Sequence, residues 1–458
     1  MGIINWFRAV RDALFPPSTI SNALGVDIAI DDNMARAIDL WADMYHGAPP
    51  WLSGTTRTLN IPATIAGEIA RMVTLEMQSR ITGSARAEYL DSQYRPIIQR
   101  ARVITEYACA KGGVMIKPYI DNNGIAIDCV HAGRFYPTAY DSNDNITGVI
   151  FVAQKSVGTS IYTRLEQHSL VGDTYTINNS AYRSNTPGVL GVRVSLTDVD
   201  EWAELEDTAT IQPIDRPLYA YFRMPMANVV NPTSPLGVSV YAKAVDTIQQ
   251  VDKLYSDILW EYEGSQLAID ADITTFRRDS RTGNLIMPKG RERLFRALDL
   301  GEGTDRYHIF SPQIRDTSLF NGLNQLLTKI EDQCCVAHGT LSVPDAEART
   351  ATEIKILKQR TYATVADIQK ALQNALDNLV YAMDVWATLG ELAPAGQYEI
   401  SYKWDDSIIV DTQSEQAIRL QEVGAGLLRP EAYLMWRYGV TEEDAKAMLP
   451  EISGMAEI

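Results

Sequence analysis

The residues that could perform acid–base or metal chemistry are few and scattered along this sequence. The adjacent pairs Asp31-Asp32 and Asp405-Asp406 each look like half of a metal site, but both stand near turns, where a solvated acidic pair is the ordinary outcome. His131 falls in a strand-like stretch and His338 at a helix end, so both are expected to be hydrogen-bonded structural residues. No nucleotide-binding loop, zinc-protease motif or nucleophile elbow occurs. These observations favour no enzyme, no metal and no cofactor.

The four cysteines do not form a disulfide framework or a zinc site. Cys109 and Cys129 stand alone, Cys334 and Cys335 are neighbours on one predicted helix, and no C-x-x-C spacing occurs. The five histidines are scattered and have no zinc-ligand spacing either. We expect reduced, structural thiols, as in a cytoplasmic protein.

One stretch of the chain differs in charge from the rest. The whole chain carries 41 Lys and Arg against 58 Asp and Glu, a net charge of -17, which excludes a general basic surface for nucleic acid. Between Phe276 and Arg306, by contrast, basic residues outnumber acidic ones. A solvated hairpin around Ser280-Arg281-Thr282-Gly283 is the plain alternative to a binding surface here. The basic residues of the stretch are Arg277, Arg278, Arg281, Lys289, Arg291, Arg293, Arg296 and Arg306.

Three long amphipathic helices must position these charges. Apolar residues at steps of three and four predict the first helix from Pro235 to about Gly264 and the second from Leu319 to about His338. The third runs from Ala351 to Leu389, opens with a T-x-x-E capping box at Thr350 and is stopped by Gly390. A core helix of an ordinary globular protein is the alternative interpretation of the first. A helix of nearly forty residues, like the third, is far longer than the usual globular helix of about 11.

The chain before these helices changes from helical to strand-like periodicity. Helices are predicted up to about residue 112, and from Val114 the apolar period becomes two. Asp121-Asn122-Asn123-Gly124 supplies the turn of a β-hairpin. A helical start followed by antiparallel strands predicts an α+β fold. The predicted helices are Met34 to His46, Pro62 to Thr82 and Ser84 to Lys111, and the predicted strands are Val114 to Ile120, Ile125 to Val130, Val149 to Ser156, Thr159 to Leu170, Asp173 to Asn178, Tyr219 to Arg223 and Tyr398 to Trp404.

Neither a membrane span nor a signal peptide is predicted. No apolar run reaches the roughly 18 residues that a span needs. The apolar face of residues 3–14 is interrupted by Arg8 and Arg11 and is not followed by a cleavage site, and Trp6 stands where a myristoylation signal needs Ser or Thr. A short packing helix is the preferred interpretation of this segment. Short helices are also predicted at the end of the chain: Gln413 to Val423, Pro430 to Tyr438 and Thr441 to Met448.

Taken in order, these features resemble the portal protein of tailed bacteriophages. The likeness covers nearly the whole chain, and the order of the motifs carries it more than any single motif does. The motifs are S-P-L-G at Ser234–Gly237, R-T-A-T-E-I-K at Arg349–Lys355, the strand-rich stretch Gly113–Val152, W-D-D-S at Trp404–Ser407 and G-V-T-E-E-D-A at Gly439–Ala445.

This resemblance implies a function and a set of partners. Portal subunits form a ring, usually of twelve chains, at one capsid vertex, and double-stranded DNA enters and leaves through its channel. The implied partners are other copies of the chain, the terminase packaging motor, head–tail adaptor proteins, and the major capsid and scaffolding proteins. The implied location is the virion, after assembly in the host cytoplasm. The alternatives are another capsid or tail component without a DNA conduit, or a DNA-modifying enzyme, for which no site is found.

The resemblance also implies an architecture of stem, wing and clip. The expected fold is α+β and portal-like, with long stem and wing helices, an antiparallel wing sheet and a small α/β clip insert. The implied parts are the wing at 1–234, the stem helix at 235–266, the clip at 267–317, the second stem helix at 318–338, the tunnel loop at 339–350, the long wing helix and returning strand at 351–404, and crown-like helices at 405–458.

Three sets of residues carry the implied contacts. An acidic loop with sparse cations would keep each phosphate contact weak, so that a duplex can slide. We expect this loop to have defined ends and a mobile middle; an ordinary helix–helix connection facing solvent is the alternative. The tunnel-loop residues are Ser342, Val343, Pro344, Asp345, Glu347 and Arg349, the channel-lining stem residues are Lys243, Gln250, Lys253 and Asp257, and the partner-binding clip residues are Arg277, Arg278, Arg281, Lys289, Arg291 and Arg293.

Overall fold

The computed structural model describes most of the chain in two compact units. The described residues are 15–266, 268–286, 295–298, 307–311, 313–344, 351–404, 412–438 and 440–449. One unit comprises Met1–Thr74 with Arg80–Ser401, and the other comprises Leu75–Ser79 with Tyr402–Ile458. The packing helix predicted near the N-terminus lies outside the described residues.

Eleven α-helices occur in the described part of the chain. They are α1 Pro17–Leu24, α2 Asp32–Tyr45, α3 Ile61–Val73, α4 Ala85–Gln99, α5 Ala101–Lys111, α6 Val245–Gly264, α7 Asp316–Gln333, α8 Ala351–Leu389, α9 Thr412–Gly424, α10 Pro430–Tyr438 and α11 Glu442–Met448.

Five sheets, mostly antiparallel, complete the fold within the described residues. Their orders are β4-β5-β6-β7-β8 with β9 also pairing with β7, β10-β2-β3, β14-β11-β15, β12-β13, and β1-β16. The mixed helical and antiparallel architecture confirms the predicted α+β class. The strands are β1 Gln78–Thr82, β2 Gly113–Asp121, β3 Gly124–His131, β4 Phe135–Tyr140, β5 Ile146–Val157, β6 Ser160–Val171, β7 Thr174–Ser184, β8 Val192–Val194, β9 Thr208–Ile211, β10 Ala220–Arg223, β11 Ala268–Asp272, β12 Arg277–Arg278, β13 Leu285–Ile286, β14 Phe295–Leu298, β15 Tyr307–Phe310 and β16 Glu399–Lys403.

The strand predictions are largely confirmed. β2 and β3 form the predicted hairpin, with Asp121 paired to Gly124 across the turn. β5, β6 and β7 form an antiparallel meander, in which β7 runs to Ser184, beyond the predicted end at Asn178. The six-stranded sheet therefore extends further than the sequence pattern indicates.

The long helix α8 belongs to the first unit and buries its apolar stripe within it. Val365, Ile368, Leu372, Leu376, Leu379 and Met383 are buried, as their spacing predicts. Gln369 donates a hydrogen bond from Nε2 to the carbonyl oxygen of Val73 at 3.2 Å, and thereby ties α8 to the end of α3. The helix ends at Leu389, immediately before Gly390, as expected.

The first long helix begins later than the sequence predicts. α6 starts at Val245, not at Pro235. The reason is a close backbone crossing, because a Cβ atom on Gly237 would overlap the carbonyl oxygen of Gly112 at the end of α5. The hydroxyl of Tyr221 accepts a hydrogen bond from the Gly237 N–H at 3.0 Å. The S-P-L-G segment is thus a strap across α5 and does not open a helix.

Two other helix predictions are wrong in their bounds. The segment predicted as one helix from Pro62 to Thr82 ends as a helix at Val73 and becomes strand β1. The segment from Ser84 to Lys111 is two helices that break at Arg100. Pro96 lies in the last turn of α4 and cannot donate a backbone hydrogen bond, which weakens the helix just before the break.

The second of the three predicted long helices also has different bounds. α7 spans Asp316–Gln333, not Leu319 to His338, and Gly339 does not end it. Cys335 has φ 56°, in the left-handed region, so the helix cannot continue through it. The N–H of Val336 closes the end by donating to the carbonyl oxygen of Glu331 at 3.0 Å.

The second unit contains the three short C-terminal helices. α9, α10 and α11 match the predicted positions within two residues at each end. Thr441 caps α11 by accepting a hydrogen bond from the Asp444 N–H at its side-chain oxygen. Ala445 is buried, whereas Leu427 and Tyr438 are exposed.

A buried network of charges joins two sheets of the first unit. Glu166 on β6 accepts hydrogen bonds from Lys117 Nζ of β2 at 2.6 Å and from Arg164 Nη2 at 2.9 Å. Its other carboxylate oxygen lies 2.8 Å from His168 Nε2, and His168 Nδ1 lies 2.6 Å from the hydroxyl of Tyr175. These contacts hold the three-stranded sheet that contains β2 against the six-stranded sheet.

Candidate functional site

The exposed face of α6 carries the predicted channel residues. Gln250, Lys253 and Asp257 are exposed at steps of three and four, so they share one face of the helix. Lys243 is also exposed and lies in the short 3-10 turn Ala242–Ala244 that precedes α6. All four predicted stem residues are therefore accessible in the single chain.

A neighbouring face of α6 is fixed by the loop at residues 51–59. Asp252 is fully buried and accepts hydrogen bonds from Trp51 Nε1 at 2.9 Å and from the Leu59 N–H at 3.0 Å. Ser256 Oγ accepts a further bond from the Arg57 N–H at 2.9 Å. These bonds set the rotation of α6 about its axis, and so determine which side chains face outward.

A groove lies between this loop and the outward face of α6. Its volume is about 1060 Å³, and it is lined by both positively and negatively charged side chains. Arg57 and Lys253 are its cations, and Asp257 and Glu263 are among its anions. Trp260, which is 69 % exposed, also lines it. Such a mixed surface does not attract a duplex as a basic groove would.

Helices α6 and α7 are joined where the insert between them begins and ends. Arg315, just before α7, makes a two-pronged pair with Glu261 of α6, with Nε–Oε1 at 3.1 Å and Nη2–Oε2 at 2.8 Å. The rings of Tyr262 and Phe320 are tilted relative to each other, with centroids 6.5 Å apart. The side-chain hydrogen bond with Arg315 holds the pKa of Glu261 below its usual value. The ion pair between Arg315 and Glu261 therefore holds together the two ends of the insert.

The insert contains the predicted hairpin and a small mixed sheet. β12 and β13 pair around the turn, where Asp279 Oδ1 accepts hydrogen bonds from the N–H groups of Arg281 and Thr282. The second sheet has β11 parallel to β14 and antiparallel to β15. The insert is predicted to be α/β, and its described residues form strands and one 3-10 turn, Ile273–Thr275.

The basic residues of the insert fall into two groups. Arg277, Arg278 and Arg281 are exposed on the hairpin, as a binding surface requires. Arg296 is instead committed within the insert, since it pairs with Asp270 at 2.6 and 3.0 Å and stacks over Phe310. The predicted partner-binding residues Lys289, Arg291 and Arg293 lie outside the described residues.

The connection after α7 is a structured turn held by one carboxylate. Glu331 is fully buried, and its Oε1 accepts hydrogen bonds from the N–H groups of Gly339 at 3.1 Å, Leu341 at 2.6 Å and Ser342 at 2.8 Å. Its Oε2 accepts a fourth bond from Ser342 Oγ at 2.7 Å. Successive N–H groups converging on one anion form a nest.

A second side chain of α7 holds the next residue of the connection. Asn324 Oδ1 accepts from the Val343 N–H at 2.7 Å, and its Nδ2 donates to the Val343 carbonyl at 3.1 Å. These bonds define the first residues of the connection, from Gly339 to Val343, whereas the mobile middle that we expect further along stays a prediction. Asp345, Glu347 and Arg349, with the capping residue Thr350, lie outside the described residues, and Pro344 is the last described residue before them.

The sequence predictions missed Glu331, Asn324 and Asp252. A signal was present, because Glu331 lies four residues after Leu327 and next to Ile330 on the apolar stripe of α7. Asp252 similarly follows Val251 within the stripe of α6. A carboxylate in an apolar stripe must find hydrogen-bond donors when the stripe is buried.

Of the residues considered for metal or acid–base chemistry, Asp31 and His338 form structural hydrogen bonds, whereas the expected hydrogen bond of His131 is not found at its buried Nδ1 within the described part of the chain. Asp31 caps α2 by accepting from the Met34 N–H at 2.8 Å. Burial, followed by the charge of Lys111, lowers the pKa of His131 from 6.5 to about 4, so this side chain is neutral. His338 hydrogen-bonds to Asp332 at 3.0 Å. The described residues contain no group of three or more His, Cys, Asp or Glu that could hold a metal, and Asp405-Asp406 lie outside them.

Membrane insertion has no candidate helix either. Among the helices that the structure describes, none combines the length and apolar character needed to cross a bilayer.

Comparison with known proteins gives one family match. Residues 98–457 match the family model described as "Phage portal protein, SPP1 Gp6-like", a span that contains α6, the insert, α7 and α8. None of the curated proteins compared with the chain matches it. Among solved structures, the chain is similar to one from the neck of a native GTA particle computed with C12 symmetry, at 10% identity and a TM-score of 0.40, covering 82% of this chain and 89% of that chain. This structural similarity is too low to support a functional inference.

Proposed function

Because the chain belongs to the SPP1 Gp6-like family of phage portal proteins, we propose that its copies form a ring around a channel for double-stranded DNA at one capsid vertex. The observation that carries this proposal is the family match over residues 98–457, which includes every predicted channel and clip residue. In this role the protein is a structural component of the phage particle, and it acts by shape and charge. The wing, stem, clip, tunnel loop and crown keep their proposed roles, with the helix bounds given above.

Exposed apolar side chains support the assembly of copies into a ring. Trp260 of α6 is 69 % exposed, Phe320 of α7 is 47 % exposed and Tyr307 of β15 is 65 % exposed. Large apolar side chains exposed on neighbouring elements mark protein interfaces. Contacts between two different patches of identical chains generate rings when the rotation closes. We expect the stem and the insert to be buried between neighbouring copies, usually twelve in this family.

The charge of the chain supports a channel through which DNA slides. A duplex held by many Lys and Arg contacts gains affinity through counterion release and is retained. The whole chain has a net charge of -17, and its proposed stem lining, Lys243, Gln250, Lys253 and Asp257, mixes cations with an anion and a neutral residue. Such a lining is not a continuous basic stripe that would hold phosphates strongly. The acidic Asp345 and Glu347 of the tunnel loop add to this, beside Ser342, Val343, Pro344 and Arg349.

Images of the purified protein test this function. We expect symmetric rings with an open centre in class averages, because the exposed stem residues need partners from other copies. A stable monomer at micromolar concentration, or a closed assembly without a hole, would contradict the proposal. The second outcome would favour the alternative, a capsid or tail component without a DNA conduit.

The hairpin arginines support a docking surface for protein partners. Arg277 and Arg278 are exposed and adjacent on β12, and arginine pairs with carboxylates through two parallel hydrogen bonds. We propose that they contact the terminase packaging motor and later the head–tail adaptor proteins, together with Arg281, Lys289, Arg291 and Arg293. The major capsid and scaffolding proteins would contact the wing, within a virion assembled in the host cytoplasm.

Reversing the charge of the hairpin should abolish docking. In the variant with Arg277→Glu and Arg278→Glu, we expect the affinity of intact rings for the purified motor to fall at least about tenfold. The matched control reverses the same charge on exposed strands of the wing sheet, with Arg183→Glu and Arg193→Glu. Equal motor binding by the two variants would contradict the assignment. Unchanged motor binding with lost affinity for free DNA would instead make the hairpin a DNA contact.

A further inference from the structure

The base of the tunnel loop folds back along the stem helix. Asn324 and Glu331 are seven residues apart on α7, which places them on one face and about 10 Å apart along the axis. Glu331 holds Gly339 to Ser342, and Asn324 holds Val343. The chain therefore leaves the end of α7 and returns antiparallel to it for roughly two helical turns.

The other contacts of this connection fix its first residues to α8. Thr361 Oγ1 accepts from the Ala337 N–H at 2.7 Å, and Thr364 Oγ1 donates to the Cys335 carbonyl at 3.1 Å. Arg360 of α8 pairs with Asp332 of α7. The connection is thus tied first to α8 and then to α7, and the α7 contacts come last before Pro344.

The carboxylate of Glu331 is suited to this task in a way that an apolar residue is not. It is fully buried and receives four hydrogen bonds, three of them from the backbone N–H groups of Gly339, Leu341 and Ser342. The Gly339 N–H also donates to Ser342 Oγ. Without the carboxylate, the buried Ser342 N–H and the half-buried Leu341 N–H would lose this acceptor. Glu331 is therefore the main side-chain acceptor for the backbone of this turn between Gly339 and Ser342.

We propose that Glu331, with Asn324, is the positioning residue that sets where along the stem the tunnel loop projects into the channel. This inference rests on the proposed portal function. Val343 is 74 % exposed, although both its backbone groups are bound by Asn324, so it is presented outward from a fixed backbone. The loop residues that follow it start from a point that α7 determines. Movement of α7 would carry this starting point with it.

The clamp itself is tested by hydrogen exchange on assembled rings. In Glu331→Ala, we expect exchange at Leu341 and Ser342 to rise at least about tenfold, the scale of losing one hydrogen bond to a charged acceptor. Gly339 should change less, because its N–H also donates to Ser342 Oγ. Asn324→Ala should raise the exchange rate of the Val343 amide only. Lys329→Ala, on the exposed side of α7 between the two anchors, is the matched control and should change none of these rates. Unchanged exchange in Glu331→Ala would overturn the clamp.

The positioning role is tested by DNA translocation through rings of unchanged size and thermal stability. We expect Glu331→Ala rings to translocate DNA at least about tenfold more slowly, with Glu331→Gln intermediate because it keeps one acceptor oxygen for the backbone nest. If Glu331→Ala fails to assemble, Asn324→Ala provides the test. Its rings should also translocate DNA more slowly than wild-type rings. Normal translocation by rings that have lost exchange protection would overturn the positioning role. Failure of wild-type rings to translocate would instead contradict the portal function itself.

Discussion

Replacing Gly237 with alanine is expected to destabilise the first unit by about 3 kcal/mol or more, or to prevent its folding. The added Cβ would overlap the carbonyl oxygen of Gly112 and would lie 3.1 Å from the Met224 nitrogen. All of these neighbours are backbone atoms of packed elements, and Gly112 itself has φ 87°, so neither side can move aside cheaply. The measurement is the free energy of unfolding by chemical denaturation, together with soluble yield.

The matched control is the same substitution at Gly264, the last residue of α6. A Cβ there meets nothing within 4 Å, and alanine favours helix over glycine, so stability should stay within about 1 kcal/mol of wild type. Similar unfolding free energies for the Gly237→Ala and Gly264→Ala variants would contradict the close crossing. Because the strap leads directly into α6, the proposed stem helix, loss of the crossing should also prevent formation of the proposed ring.

Removing the buried carboxylate of Glu166 is expected to cost about 3–5 kcal/mol of stability. Glu166→Ala would leave Lys117 and Arg164 buried without their anion, since their side chains are only 6 % and 14 % exposed. The control is Glu201→Ala, which removes an ion pair with Lys155 from an exposed site and should change the unfolding free energy by no more than about 1 kcal/mol. Equal losses in the two variants would show that the buried network does not hold the sheets together.

The same network should make the protein sensitive to acid. Burial raises the pKa of Glu166, but Lys117, the His168 hydrogen bond and Arg164 together hold it well below 4.5. Burial lowers the pKa of His168 below 6.5 despite the opposing effect of Glu166, with Lys117 and Arg164 adding to the decrease. In both cases the unfolded chain binds more protons, so the unfolding free energy should fall as the pH drops below 6.5 and further below 4.5. When denaturation of Glu166→Gln is measured across this pH range, the further loss of unfolding free energy below pH 4.5 should be absent.

Local patterns in the sequence were sufficient for the elements whose residues contact their own neighbours. The β2–β3 hairpin follows from alternating apolar residues and from Asp121-Asn122-Asn123-Gly124, both of which act within a few residues. The stripe of α8 follows from the 3.6-residue period, and Gly390 marks its end. The portal family was also indicated by the order of motifs, which the match over residues 98–457 confirms.

Only the tertiary structure decided the features that depend on residues distant in the chain. Pro235 looks like the start of a helix, but Gly112 lies more than a hundred positions earlier and requires a strap at Gly237. The α7 stripe runs on to Cys334, yet the left-handed backbone of Cys335 and the nest around Glu331 end the helix early. Asn324 binds the backbone of Val343, 19 positions later, and no local pattern in the connection between α7 and α8 shows this contact. Periodicity reports which face of an element is apolar, whereas close backbone crossings and buried acceptors are fixed by the atoms that meet there.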